Sequence, residues 1–387
     1  MPTVLSRAPH KARVVTRAQL PALWDGAYAH LAKDQRYFEV VDETLGDQFD
    51  CRYLVLEDPE GQPRAIQPYF LAHQDLVAAT SPALQALART LRRLSPSLLR
   101  LKILMVGCAA GEGHLDATDL EEQQWIVQGV AAELPRLAAE HGASLIVWKD
   151  FPSGYRPALS QLTQGEGNYV RIASMPATGV RLDFADYEAY LTQHLSRVTR
   201  KNLRRKFKAS ARRGAPLEMS VVSDASSVAD EIHGLYMQVF ERSSLRFEQL
   251  TPEFFAQLSK RMPDRARFFL WRCEGRLVAF SLCMVNGDTI YDEYLGLDYS
   301  VALDRHLYFV TLRDIFSWAI AQGLSTYRST PLNYDPKLHL GFELAPLDLY
   351  VRAASPLLQA VIRRALPLIE PTRAEPVLRR FPNAHEL

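Results

Sequence analysis

The chain has 387 residues, of which 48% are hydrophobic and 23% charged, and its formal net charge is +1. That length is too great for one ordinary core and suits two, and the composition is that of a globular protein, not a low-complexity one. A near-neutral balance excludes a global field that would steer the whole chain onto DNA or a membrane.

Four cysteines (Cys51, Cys108, Cys273, Cys283) form no CxxC pair and no ligand-like spacing, so reduced core thiols are expected and no metal site. The N-terminal stretch lacks the apolar core of a signal peptide, and no apolar run reaches transmembrane length. A cytoplasmic location follows as the expectation, with membrane contact at most peripheral.

Residues 1–13 read as a loose, basic start. From Thr16 to Ala32 the spacing of Leu20, Leu23, Trp24, Ala27, Tyr28 and Leu31 predicts a helix. Arg52–Glu57 and Ala65–Leu71 read as strands around an Asp-Pro-Glu-Gly turn. A helix is expected over Leu84–Leu94, ended by Pro96, and a strand over Lys102–Gly107. Thr118-Asp119-Leu120-Glu121 has the form of a capping box and opens a helix to about His141, with Gly142 as its cap. A strand at Ser144–Trp148, a short helix at Tyr155–Leu162 and a strand at Tyr169–Ala173 complete the front half. The segment Cys108-Ala-Ala-Gly-Glu-Gly113 reads as a flexible turn.

Between Glu188 and Glu218 there is no acidic residue, while nine basic ones fall between Arg197 and Arg213. The run is helical by propensity, and most of its cations share one face. Such a run is ordinarily a solvated surface. Here the uncompensated charge points to phosphates or other anions as its partner. The expected phosphate-binding residues are Arg200, Lys201, Arg204 and Arg205.

Gly214-Ala215-Pro216 ends this helix, and a strand follows at Leu217–Val222. Helices are expected at Ala229–Phe240 and Thr251–Met262, the second with a Thr cap and Pro at its first position. Arg267–Cys273 and Leu277–Leu282 flank Glu274-Gly275 as a hairpin, with a third strand at Thr289–Leu295. A helix from Leu307 to Gln322, capped at Gly323, leads to a short strand at Ser325–Ser329 and a polar loop holding Asp335-Pro336-Lys337. Leu347–Val351 reads as a last strand. Pro356–Leu366 reads as an amphipathic helix with Leu357, Leu358, Val361, Ile362 and Ala365 on one face and Arg363 and Arg364 on the other, its apolar face docked on the core in the ordinary reading and a membrane surface the less favoured alternative, and the Pro-rich end from Glu370 reads as loose.

Three features in this order carry a resemblance: the basic run Leu191–Gly214, the hairpin ending Leu-Val-Ala-Phe-Ser-Leu, and the helix ending Trp-Ala-Ile-Ala-Gln-Gly-Leu before a strand and an Asp-Pro-Lys…Leu-Gly loop. The stretch from about 186 to 350 resembles the acyltransferases of the GNAT superfamily, in the tandem group that includes the Fem-type peptidoglycan aminoacyltransferases and the polysaccharide-biosynthesis acetyltransferases. The front half repeats the order of hairpin, Gly-capped helix and strand. The resemblance therefore implies an α/β fold of two GNAT-like halves, each a mixed central sheet flanked by helices. The expected limits are 1–185, 186–352 beginning with the basic helix, and 353–387 as a terminal helix and tail.

What the resemblance implies for chemistry is transfer of an acetyl or longer acyl group from acyl-CoA, as co-substrate and with no tightly bound cofactor, to an amine acceptor by direct attack. A charged tRNA as donor stays open, as does a GNAT fold that has lost catalysis and holds RNA or an anionic surface. Neither the Cys108–Gly113 segment nor the equivalent Leu297–Asp304 loop of the back half, which has no glycine pair, matches the usual coenzyme A phosphate loop, which keeps the donor open. The family's lysine at the acyl-transfer centre falls on Lys337, where an ammonium would stabilise an oxyanion. By residue type, His306 at a helix start is a general-base candidate, and of Asp292 and Glu293, on opposite sides of a strand, Glu293 is taken as catalytic. Asn333, Asp335, Tyr294 and Tyr308 are the expected substrate contacts. No zinc spacing, P-loop or nucleophile elbow is present.

Overall fold

The computed structural model describes residues 11–75, 100–164, 168–243, 246–368 and 370–387. The helix expected over Leu84–Leu94 lies outside them. The chain divides into two units that trade segments: residues 11–28, 46–174 and 347–371 make the first, and 29–45, 175–346 and 372–387 the second.

In the first unit, strands β1 (Lys11–Val15), β2 (Asp50–Glu57), β3 (Pro63–Asp75) and β4 (Arg100–Val106) form an antiparallel run. β5 (Leu145–Pro152) pairs parallel to β4. The sheet order is β1-β2-β3-β4-β5-β14-β6, with β6 (Val170–Ala173) at the edge and β14 (Leu347–Ala353) between β5 and β6. The strand expected to close the second half is thus an interior strand of the first sheet. The predicted Thr16–Ala32 helix is replaced by two short 3-10 turns. Pro21 and Gly26, with φ at +92°, interrupt it, yet Trp24, Ala27 and Tyr28 are still buried. Helical spacing reported burial correctly and conformation wrongly.

α1 (Gln35–Thr44), opened by the Asp34 carboxylate accepting from the Arg36 amide, belongs to the second unit. α2 (Leu120–His141) is the long helix after β4; its cap is Asp119, which accepts from the Glu122 amide, and Gly142 at φ +64° ends it. α3 (Arg156–Thr163) packs against α2 over a core holding Trp125, Leu134, Trp148 and Phe151.

The second sheet runs β13-β7-β12-β11-β10-β9-β8. β7 (Ala177–Arg181) precedes the basic helix in sequence, so the second unit begins before residue 186. α4 (Tyr187–His194) and the basic α5 (Arg197–Arg212, capped by Ser196) follow, then β8 (Glu218–Val222), α6 (Ala229–Phe240) and α7 (Pro252–Arg261). β9 (Ala266–Cys273) and β10 (Arg276–Asn286) meet at Glu274-Gly275, both at positive φ, as a two-residue hairpin requires. β11 (Thr289–Leu297) pairs antiparallel to β10 and parallel to β12 (Thr326–Ser329). α8 (Leu307–Ala321) connects β11 to β12. α9 (Tyr334–His339) occupies the expected polar loop, and β13 (Glu343–Ala345) returns beside β7. α10 (Pro356–Ala365) is carried by the first unit. The expected loose tail is instead a series of short turns whose Leu378 and Phe381 enter the core of the second unit.

Candidate active site

The site lies in the second unit, where a parallel pair of strands stops pairing. β11 and β12 match from Thr289–Thr326 to Asp292–Ser329, after which β12 ends and β11 runs on. At that point β11 also bulges. Leu282 pairs with Tyr294 and Cys283 with Asp292, so Glu293 is the extra residue. A bulge re-aims side chains on either side of it, and here it divides two polar groups.

The first group centres on Asp292. Its carboxylate accepts from Ser281 Oγ and, at 2.5 Å, from the hydroxyl of Tyr327. Ser281 and Tyr327 are fully buried. Burial raises the Asp292 pKa, and the hydroxyl donors and the charge of Lys337 oppose that rise. Lys337 sits on α9, one turn after Tyr334, and both face inward. Leu332 and Asn333, both at positive φ, make the tight left-handed entry to α9. Lys337 Nζ donates to the Thr330 carbonyl at 2.6 Å. Burial pulls its pKa down to about 7, against the upward pull of Asp292. Tyr308, at the start of α8, has the Asn333 side chain as a hydrogen-bond partner and feels the Asp292 charge. Asp292, Lys337, Tyr308 and Asn333 thus come together with two hydroxyls that sequence reasoning passed over, Ser281 and Tyr327. Of the two neighbouring acids, Asp292 and not Glu293 is the one coupled to Lys337. The bulge could not be read from the strand's alternation, which left the choice between them undetermined.

The second group holds Glu293 and Tyr294. The Glu293 carboxylate accepts from Lys33 Nζ at 2.7 Å, with both side chains 9% exposed. Tyr294 donates to Glu248 at 3.0 Å. Lys33 precedes α1, the segment that reaches the second unit from the front of the sequence.

His306 joins neither group. It caps α8 at φ +49°, and its pKa is lowered by burial and then by the cations Lys206, Arg205 and Arg213. Asp335 is exposed and faces Arg380 at 3.3 Å, away from Lys337.

The basic helix is less bare than its sequence. Arg200 donates to the carbonyls of Thr192 and Leu195 and so closes the α4–α5 turn. Arg204 pairs with Glu188, and Arg213 with Asp304 at 2.6 Å. Lys206 lies 3.9 Å from the centre of the Phe309 ring. Lys201 and Arg205 remain exposed. Of the four residues expected to hold donor phosphates, three have protein partners, Arg205 through the Asn202 side-chain oxygen at 3.1 Å as well as Arg200 and Arg204.

A profile of the acetyltransferase (GNAT) domain family matches residues 197–337, the stretch from the first turn of α5 to Lys337. These residues are a GNAT acyltransferase domain. The fold of the chain is like that of FemX, whose crystal structure superposes on 92% of this chain and 100% of that one, at a TM-score of 0.52 and 11% identity. A tandem GNAT protein from the clavulanic acid biosynthesis pathway covers 89% of this chain and 99% of its own, at a TM-score of 0.46 and 10% identity. Two curated Mycobacterium tuberculosis proteins, from strains CDC 1551 / Oshkosh and ATCC 25618 / H37Rv, are each provisionally named 8-amino-7-oxononanoate synthase 2. Each is 23% identical to this chain over 330 residues. The alignment covers 81% of this chain and 41% of theirs, so the chain spans about two fifths of the length of those relatives.

Proposed function

We propose that the second unit transfers an acyl group from acyl-CoA to an amine acceptor by direct attack. The observation that carries this reading is Lys337, buried on α9 beside the point where β11 and β12 part, with the half-buried Asp292 carboxylate near enough for its charge to act on the ammonium, inside the stretch that matches the GNAT family. The acceptor nitrogen attacks the thioester carbonyl, and its proton passes to Asp292, whose raised pKa suits it to accept one. The carbonyl π electrons move to oxygen, and the Lys337 ammonium stabilises the resulting oxyanion. Collapse of the intermediate breaks the C–S bond and releases the thiolate, which takes its proton from solvent. Asn333 and Tyr308 line the same group and serve acceptor positioning. Glu293, neutralised by Lys33, holds the bulge and through it the aim of Asp292.

A second reading, with an aminoacyl-tRNA as donor, is favoured by one observation. α5 presents Lys201 and Arg205 to solvent, with Lys206 and Arg213 around His306 at the start of α8, a surface that suits a polyanion.

The test is a donor screen by thermal shift, followed by transfer assays on the wild type and Lys337→Ala. A donor that binds only the folded protein raises its melting temperature. Acyl-CoA is expected to do so. Lys337→Ala is expected to keep the shift while kcat falls by about 10²–10³-fold, the size of a lost oxyanion donor. A shift with charged tRNA alone moves the protein to the aminoacyl-transfer branch. Full activity in Lys337→Ala removes the assignment, and no shift with any donor leaves a binding module.

A further inference from the structure

The helix α10 of the first unit is built against the usual rule for a surface helix. It buries Gln359 and Ile362 and turns apolar side chains outward: Leu357 is 84% exposed and Val361 59%, and Leu368, just beyond its end, is 71% exposed. Positions 357, 361, 364 and 368 recur at helical spacing, so Leu357, Val361 and Leu368 share a stripe with Arg364. Single exposed apolar residues need no explanation, but three in one stripe form a patch. The helix contains no acidic residue, and its only charges are Arg363 and Arg364. It is fixed in place. Gln359 accepts from the Ala353 amide at 2.7 Å and donates to the Asn168 carbonyl at 2.6 Å, and Arg363 reaches the Asn168 side chain. Beside the stripe runs a groove of about 330 Å³ lined by Asn168, Pro356, Gln359, Ala360, Arg363 and Arg364.

We infer that α10 is an interfacial helix that seats the first unit on an anionic lipid bilayer, with Leu357, Val361 and Leu368 entering the headgroup–acyl boundary and Arg363 and Arg364 meeting lipid phosphates. Charge decides the occupant. An outward apolar stripe accompanied only by cations fits the negative surface of a bilayer, and a groove with two arginines in its wall accepts an anionic headgroup. No helix among the described residues is long and apolar enough to cross a membrane, so this contact lies on the bilayer and does not span it. The inference stands apart from the transferase reading, because every residue in it belongs to the first unit.

Vesicle co-sedimentation of the full chain tests it, with phosphatidylglycerol-containing vesicles against pure phosphatidylcholine. Binding is expected to the anionic vesicles only, and to fall at least about tenfold in Leu357→Asp/Val361→Asp and in Arg363→Glu/Arg364→Glu. Leu357 and Val361 carry little of the core, and unchanged circular dichroism and thermal unfolding check that the variants fold. α5 is the internal control. Anionic-vesicle binding that survives Leu357→Asp/Val361→Asp belongs to its cations and overturns the inference, as does absence of binding in the wild type. A stable dimer in solution that the same double variant dissolves would also overturn it, by making the stripe a protein contact.

Discussion

A single lysine carries most of the chemistry assigned to this protein, and its burial sets how it responds to pH. The unfolded chain holds the Lys337 proton up to about its ordinary value of 10.5, whereas the folded protein releases it near 7. Between those limits the unfolded state binds more protons, so stability rises with pH across that window. Below about pH 7 the native state bears the full cost of a buried ammonium. Lys337→Met should therefore lack the rise. Urea unfolding of both proteins at pH 7 and about pH 9 should show the wild type gaining on the variant by roughly 1.4 kcal/mol per pH unit at most. Parallel pH dependence in the two would mean an ordinary solvated lysine. Under the proposed mechanism the same titration should limit catalysis on the alkaline side, because the oxyanion donor is lost as pH rises through about 7. Asp292→Asn, which removes the opposing charge, should lower kcat and move that limb to lower pH. Lys337 was legible in the sequence only through its resemblance to a family. Asp292 was not chosen over Glu293, because a one-residue bulge resets the alternation on which the choice depended.

At the scale of an element, the basic helix shows how far sequence carries and where it stops. Its length, its Ser cap and the lie of its charges follow from local rules, and α5 forms where they predict. The partners of those charges do not follow, since Arg213 meets Asp304 across 91 residues of sequence and Arg200 turns back onto the preceding turn. The outcome is a division of labour within one helix. Arg200→Ala should loosen the α4–α5 turn by about 1 kcal/mol, as loss of a hydrogen bond does, and leave donor affinity alone. Lys201→Glu/Arg205→Glu should raise the donor KM several-fold, more at low ionic strength than at high, with kcat unchanged. A donor KM indifferent to both the substitutions and the salt would return this face to the status of a solvated surface. The same limit explains the failed helix over Thr16–Ala32. Its apolar period marks residues that are buried, but Pro21 and a left-handed Gly26 set the backbone that buries them.

For the whole molecule, the two GNAT-like halves were visible in the order of elements, but the path of the chain between them was not. Each unit takes strands or helices from sequence that a simple cut would give to the other: β14 to the first sheet, β7, α1 and the last sixteen residues, 372–387, to the second unit. Pairing partners of that kind are set by tertiary contact, and local pattern is blind to them. The terminal segment gives the clearest test. Read from composition it is a loose, proline-rich tail. In the structure Leu378 is 1% exposed and Phe381 3%, within the core shared with Trp271, Phe316 and Tyr327, and Asn383 holds Leu344 of β13 through its amide and carbonyl. Leu378→Ala should cost about 2–5 kcal/mol, as buried leucine truncations do. Removal of residues 372–387 should cost more, and the loss should be confined to one unit. Hydrogen exchange read by mass spectrometry separates the cases. Peptides from 177–345 should lose protection in the truncated protein, while those from 50–72 and 145–163 keep theirs. Unchanged exchange throughout would make the tail the loose end its composition suggests, and protection lost equally in both sets would mean that the two units unfold as one.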